Sequence, residues 1–342
     1  DPKIKGVNLA VYSTVPLGAG VSSSAAIEVA TMMNLVEHFS IRAAVDPLRM
    51  AAMCQAVENR IVGAPCGIMD QVSSGYGQAG ALLRMTCQPH KVESPLHLPP
   101  GTRVIGINSN VKHSVGGGMY GRTRCAAFMG HQIILTKMRE MGAAAGKALV
   151  GDPLNGYLAN LDQDDYKQLF RPHLPEQIGG QDFLDRFGPT IDQATKVDPT
   201  QSYHVQQATD HHVLEARRVQ QFVEFLQQAA KCQGLPRKNL LDKAGHLMYA
   251  SHLSYTNDAL LGAEECDLLV QLVRDREPAG LYGAKITGGG SGGTVAVLAE
   301  KSPSVDAAVN QIMSIYEQRT GRKAEAFLGS SPGAWHVGTA VV

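Results

Sequence analysis

Gly18, Gly20 and the run Ser22-Ser23-Ser24 stand together in "VPLGAGVSSSAAIEVA", just ahead of a helix-like pattern. A helix start carries unbonded backbone N–H groups and the positive end of the helix dipole, so a glycine loop there lets an anion approach closely. Serine hydroxyls add donors for phosphate oxygens and lone pairs for a hard cation such as Mg²⁺. No lysine accompanies the loop, which excludes the common P-loop, whose glycine turn ends in Lys-Ser or Lys-Thr. Two carboxylates follow, Glu58 near the end of a helical pattern and Asp70 after the loop of "GAPCGIMDQ". If both converge on the phosphate site, one suits Mg²⁺ and the other a hydroxyl nucleophile; phosphoryl transfer needs little beyond such positioning and charge neutralisation. Taken singly, each feature has a plainer reading, a capped helix after a turn or a solvated surface carboxylate. A third stretch, "ITGGGSGG" from Ile286 to Gly293, places five glycines in eight positions between apolar strands. That density costs backbone entropy and implies a backbone pressed against a ligand or another loop.

These groups need elements to hold them. Gly6 to Leu17 alternates apolar and small residues, which predicts a strand running into the glycine–serine loop. Ala25 to Phe39 has helical spacing with Ser22 to Ser24 available as N-caps, and a second helix opens at Asp46-Pro47 and closes near Gly63. A short helix is expected over Ile68 to Val72, and a strand pair in "AGALLRMTC" and "VESPLHLP". The cluster Pro99-Pro100-Gly101 marks a boundary between two lobes ahead of the strand "TRVIGINSNV". Beyond it come a long helix in "MYGRTRCAAFMGHQIILTKMREMG", a polar, aperiodic region over about 150–210, and helices in "HHVLEARRVQQFVEFLQQAAK" and "LLDKAGHLMYASHLSYTN". The chain then reads as strand, glycine loop, strand and a last helix, "VDAAVNQIMSIYEQRTG".

At 342 residues two lobes are expected, since single cores stop growing near ~250–300 residues. Thirty-one basic residues balance 31 acidic ones, so no net field favours nucleic acid or a membrane, and small molecules are the expected partners. The oligomeric state is not encoded. Six cysteines without a C-x-x-C pair argue against a zinc knot or disulfide scaffold and point to a reducing cytoplasm. No apolar run reaches the ~18 residues of a membrane span, and Asp1-Pro2-Lys3 does not resemble a signal peptide. The histidines His211, His212, His246 and His252 come with no compact ligand set and are read as structural. With no initiator Met and an immediate strand-like start, the chain reads as a fragment.

Together, "PLGAGVSSSAA", "GAPCGIMDQ" and "YGAKITGGGSGG" resemble the nucleotide-phosphate loop, catalytic-Asp segment and third motif of the GHMP kinase superfamily, galactokinase branch. "NSNVKHSVGGGMYGRTR" and "LMYASHLSYTN" are further matches, so the resemblance runs nearly end to end. It implies an α+β, two-lobed fold, with a ribosomal-protein-S5-like N-terminal lobe over 1–99, truncated at its start, and a ferredoxin-like C-terminal lobe over 100–342. It also implies an ATP-dependent monosaccharide 1-kinase using ATP and Mg²⁺. Asp70 would face the anomeric hydroxyl as base or orienter, and Ser24 and Glu58 would hold Mg²⁺. Pro16, Gly18, Ala19, Gly20, Ser22, Ser23 and Ser24 would bind the nucleotide. Cys66, Gly67, Asp70, Tyr120, Gly288, Gly289 and Gly290 would bind the sugar. His113 matches the family pattern and is read as structural, since such a kinase needs no histidine.

Within the branch, "VENRIVGAPCGIMDQ", "HSVGGGMYGRTRCAAFMG", "GSSPGAWHVG" and the neighbourhood of Tyr157 to Leu161 look nearest to arabinose-specific members. L-Arabinose is therefore the first expected acceptor and D-galactose the second. The alternative is a catalytically silent sugar sensor, which would not need the serine triplet, Glu58 and Asp70 together. The family's first motif, with an arginine and sugar-binding carboxylate or histidine residues, is expected ahead of Asp1; a chain starting there is expected to lose most sugar binding.

Overall fold

The computed structural model describes residues 6–87, 90–112 and 118–340; His113 lies outside them. Four antiparallel strands form the main sheet: β1 (Thr102–Asn108), β2 (Leu281–Ile286), β3 (Thr294–Glu300) and β4 (Glu325–Phe327), in the spatial order β4-β1-β3-β2. Helices fill the connection from β1 to β2, the glycine stretch joins β2 to β3, and a helix over Pro303–Thr320 joins β3 to β4. This βαββαβ sequence gives the ferredoxin-like arrangement that the resemblance implied. Apolar residues cover both sheet faces, so β2 and β3 lack a clean alternation. Ile105, Ile107, Val295 and Val297 pack with Leu269, Val273, Ile312 and Tyr316. Tyr282 and Leu298 pack with Leu226, Leu241 and Met248.

The other end of the molecule is built on α1 (Ser23–His38), α2 (Pro47–Val57) and α3 (Met69–Tyr76), joined through Val29, Met33, Met50 and Cys54 and through Ala51, Ile68 and Val72. The Asp46 carboxylate caps α2 by accepting from the Arg49 amide at 2.9 Å, with Pro47 at the first helical position, as the Asp-Pro pair predicts. The helix does run on to Gly63, but its last turn, Glu58–Val62, is π-helical and Gly63 closes it at φ 81°. Where one pair of strands is expected, four short ones form two separate antiparallel pairs: Ala81–Leu82 with Leu96–His97, as expected, and Met85–Cys87 with His90–Val92, which begins ahead of the second expected strand. Near the C-terminus, Gly333 donates to the Gly77 carbonyl at 2.7 Å and the Arg42 guanidinium lies 4.5 Å from the Trp335 ring, so this segment packs on α1 and α3.

Two local expectations fail. Gly6–Leu17 forms no strand ladder: a period-2 pattern needs a neighbour for its backbone groups, and none of the described residues provides one. Residues Asn8–Val15 instead border a groove along Ala26, Ala30 and Asn34 of α1, leaving Leu9, Val11 and Tyr12 exposed. The serines do not cap α1: Ser22 occupies the cap position at φ 61° and makes no side-chain cap bond.

The long helix appears as α4 (Gly118–Ala144) and the next two as α5 (Val205–Ala229) and α6 (Gly234–Asn257). The aperiodic region between α4 and α5 folds into short helical turns, a helix over Gly180–Phe187 and a two-stranded pair, Ile178–Gly179 with Ser202–Tyr203, around buried Tyr166, Phe170 and Phe183. All six cysteines are unpaired, and no helix among the described residues is long and apolar enough to cross a membrane.

Candidate active site

The glycine–serine loop turns tightly, with Gly18 at φ 71°, Gly20 at φ 66° and Ser22 at φ 61°. A left-handed serine costs about 1–2 kcal/mol and persists only where its surroundings hold it. Here the glycine stretch between β2 and β3 does so. Thr294 Oγ1 donates to the Ala19 carbonyl at 2.7 Å and Thr287 Oγ1 to the Gly20 carbonyl at 3.2 Å. A Cβ on Gly293 would stand 3.0 Å from the Ala19 carbonyl oxygen and from Gly20 Cα, so only glycine lets the two backbones meet. The second loop is anchored in turn: Tyr255 donates its hydroxyl to the Gly288 carbonyl at 2.8 Å, and the Ser291 amide donates to the Leu261 carbonyl at 2.6 Å. The glycine density thus serves loop-against-loop packing at the rim of a cavity.

That cavity holds about 470 Å³. Gly18, Gly20, Ser22, Ser23, Ser24, Glu58, Cys66, Gly67, Asp70, Tyr120, Gly288 and Gly289 all border it, so the three distant motifs converge. Pro16, Ala19 and Gly290 are not among its lining residues. Ala19 is buried beneath the loop, with its carbonyl turned to Thr294, and Gly290 is packed on Leu261, whose carbonyl oxygen would lie 2.3 Å from an added Cβ. These two glycine-loop neighbours shape the site from behind because their backbones are spent on contacts with the protein itself.

At the start of α1 the Ser24 hydroxyl donates to Glu58 Oε1 at 2.9 Å. Glu58 Oε2 accepts from Gln71 Nε2 at 2.7 Å and from the Cys66 thiol at 3.5 Å. Burial, followed by the Glu58 charge, pushes the Cys66 thiol up to about 12, so it is a neutral donor. Gln71 also donates to Glu28 Oε2 at 3.1 Å; Glu28 has its acidity weakened by burial and then by the charges of Glu58 and Asp70. Asp70 sits in the first turn of α3, where the helix dipole favours a carboxylate.

Across the cavity, Tyr120, Thr123, Arg124, Ala127, Phe128 and His131 present one face of α4. The Arg124 guanidinium makes a two-pronged contact with Asp192, at 2.9 and 2.7 Å. Burial raises the Tyr120 phenol, Arg124 opposes this, and the nearby Cys66 and Asp70 raise it further. The phenol therefore stays protonated as a hydrogen-bond donor. His131 Nε2 lies 2.9 Å from Asp152 Oδ2, and Asp152 also accepts from the Leu154 and Gly156 amides, which brings Gly156 to Ala159 up as a wall. His211 and His212 border the same space; burial first, then their mutual proximity, lowers His211 to about 3, and burial lowers His212. Both are neutral. No group of three or more His, Cys, Asp or Glu side chains that could hold a metal occurs among the described residues.

Glu28, Gln71, Arg124, His131 and Asp152 are site residues the sequence reading does not select. Arg124 follows Tyr120 by one helical turn and could have been found from that spacing. Gln71, Glu28 and Asp152 carry no such signal, because each matters only through a partner distant in the chain.

The family models describing the GHMP kinases N terminal domain and the GHMP kinases C terminal domain match residues 1–78 and 234–318. An L-arabinokinase from Arabidopsis thaliana is 37% identical over 97% of this chain and 33% of its own length. A galactokinase from Canis lupus familiaris is 30% identical over 93% of this chain and 64% of its own, and one from Chloroflexus aurantiacus is 29% identical over 95% and 68%. The chain therefore spans a third of the plant relative and about two thirds of the galactokinases. Among solved structures, Lactococcus lactis galactokinase complexed with galactose superposes with a TM-score of 0.67 at 22% identity, covering 94% of this chain and 68% of that one, which shows the shared fold.

Proposed function

We propose that this chain, which matches the GHMP kinase N-terminal and C-terminal domain models over residues 1–78 and 234–318, transfers the γ-phosphoryl group of ATP to the anomeric hydroxyl of a monosaccharide. The observation that carries this reading is the Ser24–Glu58 contact of 2.9 Å at the start of α1, in a cavity that Asp70 also borders. The backbone of Gly18 to Ser23 supplies amide donors and the helix dipole for the nucleotide phosphates. Ser24 Oγ and Glu58 Oε1 are hard oxygens beside that phosphate site and suit Mg²⁺, which takes one or two protein ligands and completes its shell with phosphate and water. When bound, Mg²⁺ neutralises charge that develops on the transferred phosphoryl group.

Asp70 accepts the proton of, or orients, the attacking anomeric hydroxyl, and Tyr120 donates a hydrogen bond to the sugar from the facing helix. Positioning supplies most of the rate enhancement, since in-line transfer between two held groups turns a bimolecular step into a unimolecular one. Cys66 and Gly67 line the sugar side, and Gly288 and Gly289 close the cavity from the opposite loop. The acceptor we favour is L-arabinose, supported by the 37% identity to an L-arabinokinase, with D-galactose second. The two differ by one exocyclic CH₂OH, so pocket volume and one hydroxyl's partners decide between them. The reading places this chemistry in the cytoplasm, in keeping with its six unpaired cysteines.

Incubating the full-length polypeptide with Mg²⁺–ATP and a panel of aldoses, with ³¹P detection, tests the reaction and the acceptor together. A sugar 1-phosphate from L-arabinose in preference to D-galactose is expected. A folded, ATP-binding protein that phosphorylates no aldose would sink the reading.

A further inference from the structure

Gln71 follows Asp70 in the chain, is completely buried, and divides its side-chain nitrogen between two carboxylates, Glu58 Oε2 at 2.7 Å and Glu28 Oε2 at 3.1 Å. A primary amide has two N–H donors, and both are engaged. Its oxygen, Oε1, is buried without a hydrogen-bond partner among the described residues. Turning the amide over would set that oxygen against two carboxylates, so one orientation is enforced although it leaves a carbonyl unsatisfied. Mere space filling does not require this; an apolar side chain of the same length would fill the site without an orphaned oxygen.

The three partners sit on three different elements. Glu28 lies one turn beyond Ser24 on α1, Glu58 begins the π-helical turn after α2, and Gln71 belongs to α3. Glu58 is consequently gripped on both oxygens: Ser24 holds Oε1 at 2.9 Å, while Gln71 and Cys66 hold Oε2. We infer that Gln71 is a positioning residue which, by bridging Glu28 and Glu58, fixes the angle at which the Glu58 Oε1 edge and Ser24 meet the divalent cation carried by the nucleotide. The inference rests on the reading of Ser24 and Glu58 as cation ligands.

The test is binding of Mn²⁺ with ADP, followed by electron paramagnetic resonance, for the wild-type protein and for Gln71→Met and Gln71→Glu. Both variants are expected to weaken Mn²⁺–ADP binding by about 10-fold or more, the usual scale for losing a group that orients a metal ligand. ADP affinity in EDTA and the KM for sugar should hold, and kcat should recover as Mg²⁺ is raised. Wild-type Mn²⁺–ADP affinity in a folded Gln71→Met variant would overturn the inference and leave the kinase reading standing; a wild-type protein that binds no Mn²⁺–ADP would overturn both. Should Gln71→Met not fold, wild-type protein labelled with ¹⁵N-glutamine carries the test: the Gln71 side-chain amide resonances must shift with Mg²⁺–ADP and not with ADP in EDTA, and resonances unmoved by Mg²⁺–ADP would overturn the inference.

Discussion

Ser24 and Glu58 are 34 residues apart in the chain, yet the Ser24 hydroxyl donates to Glu58 Oε1 at 2.9 Å. That contact joins the first turn of α1 to a π-helical turn, and every proposed step of catalysis is arranged around it.

Asp70→Asn keeps the size of the side chain and removes its charge. Turnover is expected to fall by ~10²–10⁴-fold, the range for losing a general base, while ATP binding holds. Steady-state kinetics with calorimetric ATP titration checks this; near-normal turnover would remove Asp70 from the mechanism.

The stitch between the loops is testable at Thr294, which is buried and donates to the Ala19 carbonyl at 2.7 Å. Thr294→Val leaves that carbonyl unbonded, at a cost of ~1–3 kcal/mol. The urea midpoint should drop with an unchanged m value, and the KM for ATP should rise more than that for sugar.

Two glycines separate backbone strain from steric contact. Gly321, which closes the helix over Pro303–Thr320, has φ 69° and ψ 7° with open space around its Cβ direction, so Gly321→Ala should cost only ~1–2 kcal/mol. Gly290 has φ 75° with the Leu261 carbonyl oxygen 2.3 Å from a Cβ, so Gly290→Ala should cost several-fold more and disturb the cavity rim. Equal unfolding midpoints for the two variants would contradict this packing.

Stability should depend on pH through His211. Burial holds its folded pKa at about 3, below the ~6.5 of the unfolded chain, so between these values the unfolded state binds the extra proton. Its contribution is complete above pH ~6.5 and is lost as pH falls, at about 1.4 kcal/mol per pH unit. Urea melts at pH 7, 6 and 5 should show the decline, and His211→Gln should flatten it by that slope.

Cys66 borders the cavity with its thiol pushed up to about 12, so iodoacetamide at pH 8 should leave it largely unmodified in the native protein. Glu58→Gln removes the adjacent charge and should speed labelling, read by peptide mass spectrometry. Rapid labelling of wild-type Cys66 would show that it is not held as a neutral donor.

Local chemistry was legible wherever a residue's role depends on its chain neighbours. The Asp46-Pro47 helix start, the glycine–serine turn, the helix closing at Gly63 and the two strands flanking the glycine stretch follow from capping, backbone freedom and periodicity. The same logic misled at Gly6–Leu17, where an alternating pattern has no neighbouring strand among the described residues, and at Ser22, whose left-handed backbone takes it out of capping geometry.

The amino-acid order alone determined which chemical groups are present: a lysine-free glycine–serine loop, two separated carboxylates and a glycine-rich turn between strands. Only the folded chain decided their mutual distances. The grip of Gln71 on Glu28 and Glu58, the wall hung from Asp152 and the loop stitched by Thr287 and Thr294 are contacts between remote segments, and packing sets such contacts while periodicity and propensity, which act over a few residues, leave no trace of them.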